Sequence, residues 1–142
     1  MEYTEIIHAR GHEHVQATHG STFEVTSDDW LTPAGDCILA IEADRTPADF
    51  ADEFVTAAQS HDAEITATLS TAEHTHTITG RGHPDLTYAG DRSAVGRTSD
   101  YVDDRTIMVG AASAAEGVDR RLVEALAAGA ELTVELRVST DQ

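Results

Sequence analysis

Apolar and polar residues alternate along two stretches of the chain. Ile65, Ala67 and Leu69 are interleaved with Glu64, Thr66 and Thr68, and Leu132, Val134, Leu136 and Val138 with Thr133, Glu135 and Arg137. A period of two puts each residue type on its own face of an extended chain, so both stretches predict strands with one buried and one wetted side. Segments 2–10, 14–18, 21–26, 37–43, 73–79, 85–89, 93–97 and 105–110 are rich in Thr and Val and bounded by Gly, Pro, Asp or Ser, and they predict further strands. Two regions carry a helical period instead. Phe50, Phe54, Ala57 and Ala58 recur every three to four residues behind Thr46-Pro47-Ala48-Asp49, where Thr46 caps the backbone, Pro47 gives up no hydrogen bond and Asp49 faces the positive helix end. Ser113-Ala114-Ala115-Glu116 has capping-box spacing and opens a second helix to Gly129, with Val118, Leu122, Val123 and Leu126 inward. The pattern gives about ten strands and two helices of about three turns each. Because alternation leaves every strand a polar face, the sheets are expected to be mainly antiparallel and covered on one side.

The chain also resembles itself. RGHEHVQATHGSTFEVTSDDW at 10–30 and RGHPDLTYAGDRSAVGRTSDY at 81–101 share an Arg-Gly-His opening. Both continue with an apolar residue (Val15, Leu86), a hydroxyl residue and Asp (Ser27-Asp28, Thr98 to Asp100) and an aromatic (Trp30, Tyr101). Beyond a three-residue deletion, Asp36 falls opposite Asp104 and Phe54-Val55 opposite Leu122-Val123. The expected organisation is one domain over 1–142 made of two repeats, about 2–70 and 72–139, around a pseudo-twofold axis. The fold class that follows is α+β, mainly β: an internally duplicated antiparallel sandwich or barrel-like domain with two flanking helices.

Charge narrows the environment. Lys+Arg 9 against Asp+Glu 26 gives a formal net charge of −17, and all nine basic residues are Arg. Such an excess repels itself at low ionic strength and is screened within about 3 Å at 1 M salt. With few aromatics and no Lys, the composition fits a halophilic cytoplasm. It also disfavours a nucleic-acid groove, which needs clustered cations. No run of about 18 apolar residues is present, so no membrane span is expected. Cys37 is the single cysteine, which excludes an internal disulfide and agrees with a reducing, cytoplasmic compartment.

Candidate chemistry clusters at the two tripeptides. Arg10 and Arg81 stand out among so few cations, with two readings: ion pairs to Asp36 and Asp104 that lock a turn, or a clamp on a small anionic ligand. His12 and His83 follow a Gly that permits close backbone approach, and a dyad bringing both tripeptides together would form one pocket. His12 and His14 project to one face of a strand, a workable spacing for a divalent metal, with His83, Asp36, Cys37 or Asp104 to complete the set. Cys37 enters an apolar strand and reads as a small core residue rather than a nucleophile. Neither a phosphate-binding glycine loop nor a GxSxG elbow occurs.

The blocks RGHEHVQATHGSTFEVT, LTPAGDCILAIEAD, RGHPDL and DDRTIMVG resemble an archaeal family of unknown function, number 371, over residues 5–138. The resemblance implies a small archaeal β-rich domain without an established activity. It also implies a basic residue where this chain has Gly20, which removes one candidate anion contact. The expected function is therefore a binding domain for a small anion or a metal at Arg10, His12, Asp36, Arg81, His83 and Asp104, with hydrolysis as a further option. The alternative is a non-catalytic interaction or assembly module in which these residues brace the fold.

Overall fold

The alternating stretches form β4 (Glu64–Ser70) and β8 (Glu131–Ser139), which pair antiparallel at the centre of a four-stranded sheet. Ile65, Ala67, Leu69, Leu132, Val134, Leu136 and Val138 are buried on one face, and the polar residues between them face water. β1 (Glu2–Arg10) and β5 (Thr75–Arg81) flank this pair, giving the order β1-β8-β4-β5. The computed structural model describes residues 1–140. A second sheet has the order β3-β2-β6-β7, from β3 (Ile38–Ala40), β2 (Thr22–Thr26), β6 (Ser93–Arg97) and β7 (Thr106–Met108). Its central pair is antiparallel and its outer pairs, β2 with β3 and β6 with β7, are parallel.

Two single bridges, Arg10 with Ile41 and Arg81 with Val109, join the sheets at both margins and close a barrel-like ring. The fold is thus α+β and mainly β. Strand, strand, strand, 3-10 turn, helix, strand runs twice along the chain, with α1 at Asp52–Ala58 and α2 at Arg120–Ala127.

Three expectations are corrected. Segments 14–18 and 85–89 are loops, not strands. Val15 N–H donates to His12 O (2.9 Å) and Leu86 N–H to His83 O (3.1 Å), and Ala17 and Tyr88 turn the chain at φ +51° and +49°. The helices are shorter than three turns, because extended backbone at Phe50 and Val118 separates a 3-10 turn from the α-helix proper. That break lets Phe50 and Phe54 both meet Tyr88, at ring separations of 5.7 Å. Ser113 does not cap α2. Asp119 does, its carboxylate accepting from Arg121 N–H at 2.8 Å.

Each helix is seated on a loop from the other half of the chain. Gly11 lies against the end of α2, donating to Ala130 O (2.8 Å), and Gly82 lies against the end of α1, donating to Ala63 O (3.0 Å). A Cβ at Gly11 would stand 1.8 Å from Leu126 O, and one at Gly82 would stand 2.2 Å from Ala58 O. His83 N–H donates to Ala58 O (3.0 Å), and Arg120 reaches the carbonyl of Ala17 (3.0 Å). The Gly of each Arg-Gly-His is therefore required by the backbone of a helix end packed so close that no Cβ fits. Gly11→Ala and Gly82→Ala are each expected to lower unfolding free energy in denaturant titrations by about 1–3 kcal/mol. Gly20→Ala, whose added carbon meets nothing nearer than 3.7 Å, is expected to stay within about 0.5 kcal/mol of the parent.

Candidate functional site

Strand register decides whether the two Arg-Gly-His corners meet. Arg10 pairs with Glu131 at one end of β8, whereas Arg81 pairs with Glu64, which pairs with Ser139 at the other end, opposite Glu2. Arg81 thus lies level with Glu2, so eight residue steps, roughly 27 Å along the strands, separate it from the level of Arg10. Three strand spacings, about 14 Å, separate them across the sheet. The corners are diagonally opposed, so the expected joint pocket of Arg10, His12, Arg81 and His83 does not form. The physical reason is that β1 and β5 run in opposite directions at opposite margins of one sheet.

The ion pairs differ from expectation as well. Arg10 pairs with Glu42, not Asp36, because strand alternation points its side chain away from the core toward the residue after the Ile41 bridge. Asp36 acts through its backbone carbonyl, which accepts from Thr18 N–H (2.9 Å) and His19 N–H (3.2 Å). Asp104 accepts from Thr87 Oγ1 at 3.0 Å, and Arg81 is exposed with no ion pair among the described residues.

The two histidines close turns. His12 Nδ1 accepts from His14 N–H (3.0 Å) and His83 Nδ1 from Asp85 N–H (3.0 Å). His12 stacks near His14 with ring centroids 5.1 Å apart, and His83 packs edge-on against His61 at 4.8 Å. No cluster of three His, Cys, Asp or Glu able to hold a metal ion occurs among the described residues, and His83, at the opposed corner, is not brought to His12 and His14. Cys37 is half-buried, its thiol donating to Glu24 Oε1 at 3.4 Å. Burial, with the Glu24 charge beside it, pushes the thiol up to about 11. Its alkylation rate at pH 7 is expected to fall well below that of a free cysteine and to rise about tenfold per pH unit toward 11, followed by mass spectrometry.

Concave surfaces of about 400 Å³ beside Arg10, Glu42 and Asp44 and of about 320 Å³ beside Arg10, His12 and Glu13 lie at the first corner, and two more lie away from it. One, about 430 Å³, brings His83, Asp85, Thr87, Asp100, Tyr101 and Asp104 together. At its wall, Asp103 is gripped by Arg97 (3.0 Å), Arg105 (3.2 Å) and Thr106 (3.0 Å). Burial raises the Asp103 pKa, but the hydrogen bonds from Thr106 and Arg105 and the charge of Arg97 outweigh it and hold the carboxyl at about 2. The other, about 610 Å³, runs beneath α1 between Tyr3, Asp52, Glu53, Ala57, Asp62 and Ala63, with more apolar than polar wall. None of its three carboxylates has an ion-pair partner among the described residues.

Sequence reasoning named His83 and Asp104 of the first cleft, though not the company they keep there, and it missed the groove. The Asp103 network was readable in part, since an Asp two residues before Arg105 and three before Thr106 is a side-chain-to-backbone turn. The groove was not, because its walls come from four separated segments.

A small, mostly β domain with separate surface clefts is what these features define. A sequence model described as Domain of unknown function (DUF371) matches residues 7–139, and the chain belongs to that family. It is 38% identical over 138 residues to an uncharacterized protein, MJ0206, of Methanocaldococcus jannaschii, a match spanning 97% of this chain and 100% of the relative. Neither description states an activity. No helix among the described residues is long and apolar enough to cross a membrane.

Because the folded pKa of Asp103 lies below its ordinary value of 3.8, its stabilisation is complete above that value and is lost as pH falls toward about 2. Asp103→Asn is expected to melt lower than the parent at pH 5, with the difference shrinking by pH 2 in calorimetric scans.

Proposed function

We propose that the protein is a non-catalytic ligand-binding domain of a salt-rich cytoplasm, taking a small organic cation in the groove beneath α1. The observation that carries this reading is the composition of that groove. Its volume lies within the usual range for small-molecule sites, about 300–1,000 Å³. Tyr3, Ala57 and Ala63 offer an apolar floor, and Asp52, Glu53 and Asp62 offer three negative charges against the one ammonium group of Met1. An apolar body with an ammonium or guanidinium group complements both, whereas an anion meets repulsion from three carboxylates. In this reading the Arg-Gly-His corners are bracing elements: their glycines seat the helices and their histidine Nδ1 atoms close turns. The acidic, lysine-free surface supports a high-salt setting, since its self-repulsion is relieved when the Debye length falls to a few ångströms.

The cleft at His83 supports a second reading of the same class, because Asp85, Asp100 and Asp104 also favour a cation and His83 Nδ1 lies 3.9 Å from Asp85. Titration of isotopically labelled protein with butylammonium and with butyrate, in about 2 M KCl to screen non-specific attraction, separates these outcomes. The groove reading expects amide shifts at Tyr3, Thr56, Ala57 and Ala63 with the amine alone, reduced in Asp52→Asn/Asp62→Asn. Shifts confined to His83 and Tyr101 would transfer the site to the second cleft. An equal response to butyrate would overturn both.

A further inference from the structure

The two margins of the β1-β8-β4-β5 sheet are finished differently. The hairpin between β4 and β5 is closed by Thr71 N–H donating to His74 O (2.9 Å). Antiparallel alternation then turns the backbone of His76, Ile78 and Gly80 toward β4 and that of Thr75, Thr77, Thr79 and Arg81 outward. Arg81 is covered by its bridge to Val109, and Thr79 O accepts from Ala112 N–H at 2.9 Å. The outward N–H and C=O groups of Thr75 and Thr77 have no partner among the described residues.

At the opposite margin only the outward groups of His8 and Arg10 and the Ile6 carbonyl are capped; those of Glu2 and Thr4 and the Ile6 N–H have no partner among the described residues, but there Glu2 sets a carboxylate on the open stretch. His8 N–H donates to Asp44 Oδ1 (2.8 Å), His8 O accepts from Asp44 N–H (2.9 Å), and Ile6 O accepts from Arg45 Nη1 (3.0 Å). Asp44 and Arg45 immediately precede the first 3-10 turn. Ala112 and Ser113 hold the corresponding places before the second, and neither side chain reaches β5. A strand margin with unpaired backbone groups is a template for another strand unless charge, proline or a covering segment blocks it. β5 has none of these over Thr75–Thr77, and it is the one strand of its sheet without a carboxylate.

We propose that β5 is a self-association edge, on which Thr75–Thr77 pairs antiparallel with the same residues of a second copy of this chain. With the twofold axis at His76, Thr75 of one copy faces Thr77 of the other. The four unpaired groups on each copy are then consumed by four intermolecular hydrogen bonds. A second copy is favoured over another acidic partner by charge. In a molecule of net charge −17, this margin brings no carboxylates opposite one another. The product is a continuous eight-stranded sheet whose outer face carries Thr66, Thr68, Thr75, Thr77 and Thr79 from each copy. The contact is small, so the association belongs to the weak, concentration-dependent class.

Sedimentation equilibrium of the full chain in about 2 M KCl, where repulsion between copies is screened, tests the proposal. The expected result is reversible conversion from the 15.2 kDa chain to a species of twice that mass as concentration rises. Thr77→Pro removes one outward N–H without breaking a bond to β4, and is expected to hold the protein at one chain's mass with an unchanged far-ultraviolet spectrum. Should that variant fold poorly, Thr75→Glu/Thr77→Glu places carboxylates directly opposite one another at exposed positions and is expected to abolish the dimer. A parent that stays at 15.2 kDa at every concentration overturns the proposal, as does a dimer or larger assembly that persists in the folded variants.

Discussion

The close approach of helix ends to glycine backbone is the contact on which the rest of this structure depends. The last turn of α1 rests on Gly82, and the last turn of α2 rests on Gly11. Neither seat belongs to the half of the chain that supplies the helix. Ala58 O at the end of α1 gains His83 N–H as a partner, Ala63 and Ala130 just beyond the helices accept from Gly82 and Gly11, and the loops after β1 and β5 are fixed in return. Those loops carry Ala17 and Tyr88 in left-handed conformations that place Tyr88 under Phe50 and Phe54, with its hydroxyl donating to Ile107 O at 2.7 Å. Left-handed backbone at two residues other than glycine is held by surroundings that leave no alternative.

Much of this was legible in the chain. Alternation identified β4 and β8 and the faces they bury, since period-two patterning is a local property that burial then enforces. The Arg-Gly-His elements were also visible, and so was the demand for close approach at their glycines. What approaches them was not, because the partners are helix ends 24 residues away for Gly82, at Ala58, and 115 residues away for Gly11, at Leu126. The joint pocket failed for a related reason. A pseudo-twofold axis can gather equivalent corners or disperse them, and the choice rests on the direction in which β1 and β5 run. Helix lengths were overstated because Phe50 and Val118 continue the apolar spacing through residues whose backbone is extended.

Equivalent positions in the two halves have been put to different ends. On β1, buried Glu5 accepts from Ala51 N–H (2.6 Å) and pairs with Arg45 (2.7 Å), so helix start, strand and guanidinium form one satisfied group. On β5, His76 Nδ1 accepts the matching Asp119 N–H at 3.4 Å, and its buried Nε2 has no partner. The first arrangement is held by a charged network and the second by one long hydrogen bond. The start of α2 is instead stabilised by Asp119, whose carboxyl is held at about 2 by Arg121. The second half therefore carries its polar anchoring at the helix cap, where the first carries it on the strand.

The ring closed by the Arg10–Ile41 and Arg81–Val109 bridges bears on how the chain reaches its native state. β1 finds its neighbour in β8, at the far end of the sequence, so the largest loop-closure entropy is spent before the first sheet is complete. Folding of such a topology is slow for its size, and the nascent polypeptide leaving the ribosome exposes β1 without a mate until β8 has been translated. An abundance of carboxylates is then useful in a further way: it keeps the waiting, half-made molecule from coalescing with its neighbours.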